Sequence, residues 1–303
     1  MTDMDMIKRI NELRKQRNAV ILAHNYVEGE VQDIADFVGD SLELSIKAAE
    51  SSAPVIVFCG VSFMAETAKL LSPQATVLLP EKSAGCPMAD MADANMVRAL
   101  RRKYPDAVFV AYVNTTAAVK AEVDICCTSA NAEKIVKSIP ENKTIVFLPD
   151  NNLGSNVSKA LNREMVLFPG YCPTHQRITP EQLADARQKH PNAPIVVHPE
   201  CPPDVVALAD TALSTGGMLK YIKESPADEF VIGTETGIIH RLRKENPTKT
   251  FYPLQPSPSC PNMKKVSLMS ILKALETMEP VVELDPDFIE RARLPIERML
   301  AVK

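Results

Sequence analysis

No stretch of the chain approaches the ~18 consecutive apolar residues of a membrane helix. Residues 1–17, MTDMDMIKRINELRKQR, alternate charged and apolar side chains at helical spacing and lack the apolar centre of a secretory signal. Excess positive charge is missing as well: 34 Lys and Arg stand against 38 Asp and Glu, a net charge of −4, so there is no electrostatic footprint for nucleic acid. Low-complexity tracts are absent. These gaps predict a cytoplasmic protein with no membrane or nucleic-acid partner. In that compartment seven cysteines are expected to be reduced, metal-bound or buried rather than paired in disulfides.

What is present is ample material for a core. The 303 residues are 46% hydrophobic and 24% charged, enough for two or three units of about 100–200 residues each. An internal repeat sets the organisation. NAVILAHNY from Asn18, DAVFVAYVN from Asp106 and NAPIVVHPE from Asn192 begin alike, 88 and 86 residues apart. Each continues through a helical pattern, a short strand (DFVGDS, DICCTS, TALSTG), a helix, a strand (PVIVFCG, TIVFLPD, EFVIGTE), a further helix and a last strand that ends in Cys-Pro. Short Val- and Ile-rich runs alternating with helices predict parallel strands covered on both faces.

The predicted fold is therefore α/β: three homologous three-layer αβα units with parallel sheets, set about a pseudo-threefold axis with a central active site. The expected spans are 1–105 (an N-terminal helix plus repeat one), 106–191 (repeat two), 192–280 (repeat three) and 281–303 (a C-terminal tail of two short helices that packs back on the body or closes the cavity).

Cys86, Cys172 and Cys260 fall 68, 66 and 68 residues after the repeat starts, each followed by proline. One Cys-Pro alone is as readily a small buried residue ending a strand; three at matched positions point to a shared role. Proline holds the preceding residue extended, which suits a fixed ligand. Ligands in open parallel sheets sit outside the carboxyl ends of the strands. There the repeats place His24, Tyr112 and His198 at the sixth position, Tyr26, Asn114 and Glu200 at the eighth, and Ser41, Ser129 and Thr215 at the twenty-third. A hydroxyl opening a helix is a preferred N-cap, and a helix N-terminus is an anion site.

Convergence of the three units would bring these groups and three thiols to one cavity. A closed zinc site or an electron-transfer 4Fe-4S cluster takes four protein ligands; three leave a coordination position open for substrate. Composition alone leaves zinc open. Cys59, Cys126 and Cys127 lie in strand patterns and read as core. Cys201, also before proline, has no counterpart in the other repeats and is placed near the site but off the metal.

The motifs AHNYVEGEVQDIADFVGDSLELS, SAGCPMADM, GYCPTHQRIT, HPECPPDVV and STGGM, in this order over residues 18–275, resemble the quinolinate synthase family. The resemblance implies one 4Fe-4S cluster per chain held by Cys86, Cys172 and Cys260. It implies substrate contacts from His24, Ser41, Tyr112, Val113, Asn114, Ser129, His198, Pro199, Glu200 and Thr215, with Tyr26 near the reacting atoms. Family members condense iminoaspartate with dihydroxyacetone phosphate to quinolinate, phosphate and water on the de novo route to NAD, which also implies a functional link to an aspartate-oxidising enzyme. Longer members have Trp before the second ligand's G-x-C, where this chain has LFPGYC, and some carry an extra cysteine where this chain has Ser257.

Glu200 is the expected general base, Tyr26 and Tyr112 the proton donors or positioning groups, and His24 an orienting or substrate-binding group. His175 is expected behind the ligands. The basic runs LRRKYP and HRLRKENPTK read as solvated helix ends. A hydro-lyase using an open iron and a non-catalytic iron-sulfur protein are the competing functions. The first would act on one substrate; the second would be expected to supply four ligands.

Overall fold

The computed structural model describes residues 2–302; Met1 and Lys303, which begin and end the expected spans, lie outside them. Among the described residues twelve strands form three sheets of four. The first contains β1 (Ala19–His24), β2 (Phe37–Gly39), β3 (Val55–Cys59) and β4 (Thr76–Leu78) in the order β2-β1-β3-β4. The second contains β5 (Val108–Tyr112), β6 (Ile125–Cys127), β7 (Ile145–Leu148) and β8 (Val166–Leu167) in the order β6-β5-β7-β8. The third contains β9 (Ile195–Val197), β10 (Thr211–Ala212), β11 (Glu229–Gly233) and β12 (Thr250–Pro253) in the order β10-β9-β11-β12. All pairings within the sheets are parallel. The middle strands are buried along nearly their whole length, as strands covered by helices on both faces must be.

The strand order reverses between β1 and β3, and likewise between β5 and β7 and between β9 and β11. The carboxyl ends at such a reversal leave a crevice between loops that run to opposite sides. At the opposite end, one aspartate per repeat, just ahead of β2, β6 or β10, fixes the register. The carboxylates of Asp36, Asp124 and Asp210 accept the backbone N–H of Ile21, Phe109 and Ile195 at 2.8, 2.7 and 2.7 Å. Arg14, Arg101 and Arg187, from the preceding helices, pair with these carboxylates at 2.8, 2.8 and 3.1 Å.

The units interlock. Helix Leu268–Thr277 lies at the end of the span expected for repeat three but packs on helix Asp3–Gln16 of the first unit. The chain then pairs antiparallel with the edge of the first sheet through Leu78 and Val281, and Val282 N–H donates to Val77 O at 2.8 Å. The expected pair of short terminal helices is one helix, Pro286–Ala301, with Pro295 inside it. Ala292, Ile296 and Met299 are fully buried along one face. Their burial outweighs the backbone hydrogen bond that an internal proline removes, a cost of about 3 kcal/mol. This helix packs against β6 and helix Ser62–Leu71, and none of its residues lines the central cavity. No helix among the described residues is long and apolar enough to cross a membrane.

Candidate active site

The strand ends of the three units open onto one cavity of about 230 Å³. Its wall includes all three repeat-matched cysteines, the sixth-position residues His24, Tyr112 and His198, the eighth-position residues Tyr26, Asn114 and Glu200, and the hydroxyls of Ser41, Ser129 and Thr215. Val113 and Pro199 do not line it; they lie in the loops that carry Asn114 and Glu200. The sixth-position residues end β1 and β5 or directly follow β9, whereas the eighth-position residues stand beyond the strand ends, in the turns.

Cys86 and Cys172 are held extended by the prolines that follow and open the short helices Pro87–Asp90 and Pro173–Gln176. Cys260 precedes the 3-10 turn Met263–Lys265. Gly170, just before the Cys172 loop, approaches its neighbour so closely that a Cβ there would meet Pro149 O at 2.5 Å. Among the described residues every cysteine is free. Cys59, Cys126, Cys127 and Cys201 are fully buried; Cys201 packs under β9 and β11 and points its sulfur at Gly233 O, 3.7 Å away.

Two imidazoles are fixed alike. His24 Nδ1 accepts Tyr26 N–H and His198 Nδ1 accepts Glu200 N–H, both at 3.2 Å, which assigns the remaining proton to Nε2. Burial pushes both down to about 3, so each is a neutral donor. A hydrogen-bonded chain crosses between units. Thr215 donates to Tyr26 Oη (3.1 Å), which meets Thr234 Oγ1 (2.7 Å); Thr234 Oγ1 meets His175 Nε2 (2.7 Å), and His175 Nδ1 lies 2.7 Å from Glu200 Oε2. Tyr112 donates to Glu200 Oε1.

Burial alone raises the Glu200 carboxyl; the imidazoles of His198 and His175 and the hydrogen bonds from His175 and Tyr112 outweigh it and hold Glu200 below the usual carboxylate range. Because burial keeps His198 neutral, His175 and Tyr112 carry that effect. Burial, with Glu200 adding to it at Tyr112, holds both tyrosines protonated.

The expected capping differs. Asp40, not Ser41, caps helix Ser41–Glu50, and Ser214, not Thr215, caps helix Thr215–Glu224. Ser129 lies ahead of helix Ala132–Ser138, on the cavity wall with Tyr112. A neighbour takes the capping role, which leaves the Ser41 hydroxyl facing the cavity and the Thr215 hydroxyl to Tyr26. Asp40 also reaches across units to Gly216 N–H at 3.2 Å, where a Cβ would stand 2.7 Å from its carboxylate.

Several residues on or just behind the wall escaped the sequence reading. Thr234 and Glu235 are fully buried in the turn after β11; Glu235 accepts Cys260 N–H at 3.2 Å and pairs with Lys264 at 3.1 Å. Arg177, two residues past His175, is the one Lys or Arg among the lining residues. Only the GYCPTHQRIT motif carried a signal for it. Among the described residues Asn114 Oδ1 is buried without a hydrogen-bond partner, a group that a ligand would satisfy.

The donor set suits a metal centre. Burial pushes Cys86 up to about 12 and raises Cys172 well above its ordinary value, with Glu200 adding to both. An anionic Glu200 stands in this buried wall, where an ion needs a partner of opposite charge. Three soft thiols beside it are compatible with a metal cluster. Donor atoms of Cys172, His175 and Glu200, all within 4.8 Å of one another, also meet the spacing of a metal site.

A family profile described as "Quinolinate synthetase A protein" matches residues 8–301. The chain is 52% identical over 302 residues to quinolinate synthase of Geobacter sp. (strain M21), covering 100% of this chain and 99% of that one. It is 53% identical over 296 residues to quinolinate synthase of Pelobacter propionicus, covering 97% of both. To quinolinate synthase 1 of Methanosarcina acetivorans it is 51% identical over 303 residues, covering 100% of this chain and 99% of that one.

Proposed function

Because the chain belongs to the quinolinate synthase family, we propose that it condenses iminoaspartate with dihydroxyacetone phosphate to quinolinate, phosphate and water, in the de novo synthesis of NAD in the cytoplasm. The observation that carries this reading is the convergence of three repeat-matched cysteines on one cavity with Glu200, two neutral imidazoles and three hydroxyls. Cys86, Cys172 and Cys260 would hold a 4Fe-4S cluster. Bound there, the cluster supplies an iron without a fourth protein ligand, a Lewis acid for a substrate hydroxyl or carboxylate oxygen.

The chain's own residues do the rest. Glu200, held ionised by Tyr112 and His175, takes the protons released in isomerisation and ring closure. Tyr112 and Tyr26 stay protonated and offer O–H donors to developing oxyanions. His24 and His198 present Nε2–H to substrate oxygens. Ser129 and Thr215 bind the anionic substrates, with Arg177 as the nearby positive charge; Ser41 sits beside the Asp40 carboxylate and suits a hydroxyl better than a phosphate. Val113 and Pro199 contribute through the loops that hold Asn114 and Glu200.

Anaerobic restoration of iron and sulfide, followed by assay with both substrates, tests the reading. Quinolinate is expected only when iminoaspartate and dihydroxyacetone phosphate are both present, with phosphate released in equal amount. Dehydration of a single hydroxy acid, with no quinolinate, would instead favour a hydro-lyase.

A further inference from the structure

The eighth-position residues Tyr26, Asn114 and Glu200 stand on loops rather than strands, so something other than a sheet must aim them. The carbonyls on either side of each are bound by a side-chain nitrogen. Gln32 Nε2 reaches Asn25 O at 3.1 Å and Val27 O at 3.0 Å, the residues bracketing Tyr26. Lys120 Nζ reaches Val113 O at 2.8 Å and also Thr115 O, bracketing Asn114. Asn156 Nδ2 reaches Pro199 O at 2.9 Å and Cys201 O at 3.0 Å, bracketing Glu200.

Gln32 and Lys120 occupy the same place, fourteen residues after Asn18 and Asp106. In repeat three that place is Val206, which has no donor. The nitrogen comes there from helix Asn151–Leu161 of the second unit, where Asn152, one turn earlier, also donates to Glu200 O at 3.1 Å. Two different side chains and a third from another unit thus meet one geometric demand. Gln32 and Lys120 are buried, and Lys120 is wholly so. Among the described residues Lys120 Nζ has backbone carbonyls as its only hydrogen-bond partners, a costly way to bury a lysine; Val113 O also accepts Thr115 N–H at 2.8 Å, whereas Thr115 O depends on the lysine.

We propose that Gln32, Lys120 and Asn156 are positioning residues of one repeated clamp: each grips the two carbonyls flanking an eighth-position residue and so holds Tyr26, Asn114 and Glu200 against the substrate. The inference rests on the reading that these three residues act on substrate. It extends that reading to residues outside the cavity wall. The clamp at Gln32 also binds Gly237 O at 2.9 Å, tying the Tyr26 loop to the third unit.

The test compares Lys120→Met, Gln32→Leu and Asn156→Leu with wild type, and Lys120→Gln as the variant that keeps a donor. Two readouts are taken on the cluster-loaded chain: turnover with both substrates, and amide hydrogen exchange in peptides 24–28, 112–116 and 198–202. Each donor-deleting variant is expected to speed exchange about tenfold in its own loop only, the effect of losing roughly two backbone-directed hydrogen bonds. Lys120→Met should lower kcat/KM about tenfold and Lys120→Gln regain it to within about threefold. Asn156→Leu, at a partly exposed position that survives substitution even if Lys120→Met does not fold, should lower kcat while KM stays within about twofold. Unchanged exchange in the matching loop, or faster exchange with full turnover, would overturn the clamp, as would Lys120→Gln as slow as Lys120→Met. If wild type makes no quinolinate, the functional reading falls, and the exchange pattern still decides whether the clamp exists.

Discussion

At the scale of single residues, the cavity works by denying water to groups that would otherwise ionise differently. His198 stacks on His175 at 4.7 Å, accepts Glu200 N–H and is kept uncharged by burial. Its folded value of about 3 lies below the ordinary 6.5, so between those values the unfolded chain binds a proton that the folded chain does not. The stability His198 contributes is therefore complete above pH 6.5 and is lost as pH falls toward 3. Asp150 and Glu235, raised by burial, slope the other way, so a difference measurement is needed. In metal-free protein, the unfolding free energy of wild type relative to His198→Gln should shrink by up to about 1.4 kcal/mol per pH unit from pH 6.5 to 5. A difference independent of pH over that range would mean that His198 is not held neutral.

Much of this was legible before any coordinates. The sixth and eighth repeat positions picked out His24, Tyr112, His198, Tyr26, Asn114 and Glu200, and all six line the cavity. The twenty-third position picked out hydroxyls that line the cavity, but Ser41 and Thr215 are not the caps, because Asp40 and Ser214 are equally good caps and stand one residue closer to the turn. Thr234 was invisible: an uncharged hydroxyl in a turn carries no periodic signal, and its importance lies in bridging Tyr26 and His175 across units.

At the scale of elements, apolar runs and turn chemistry fixed the strands, including the two-residue β8 and β10, because the repeat supplied three views of each. The C-terminal helix defeated the same logic. Pro295 reads as a break in LPIERML, yet the apolar face formed by Ala292, Ile296 and Met299 continues through it and packs on β6. Ile296→Ala should then cost roughly 2–5 kcal/mol, as a truncated core side chain does. Chemical denaturation would show it; a loss below about 1 kcal/mol would indicate a helix only loosely docked.

At the scale of the whole molecule, each sheet is built within its own repeat while the site is built between repeats. Asn156 of the second unit holds the Glu200 loop of the third, Gln32 of the first binds Gly237 of the third, and helix Leu268–Thr277 returns to the first. Contacts of this kind have no sequence period, which is why the repeat argument found the strand ends and not what ties them together. The shared cavity follows from three equivalent crevices facing one another, and the proposed cluster follows from the thiols at their rims. Measuring iron, sulfide and the absorption spectrum of anaerobically prepared wild type, Cys86→Ala, Cys172→Ala, Cys260→Ala and Cys201→Ala tests that claim most directly. About four irons per chain, lost in the first three variants and kept in Cys201→Ala, is the predicted result. A cluster that survives loss of Cys260 but not of Cys201, or a colourless protein with a single zinc, would contradict it.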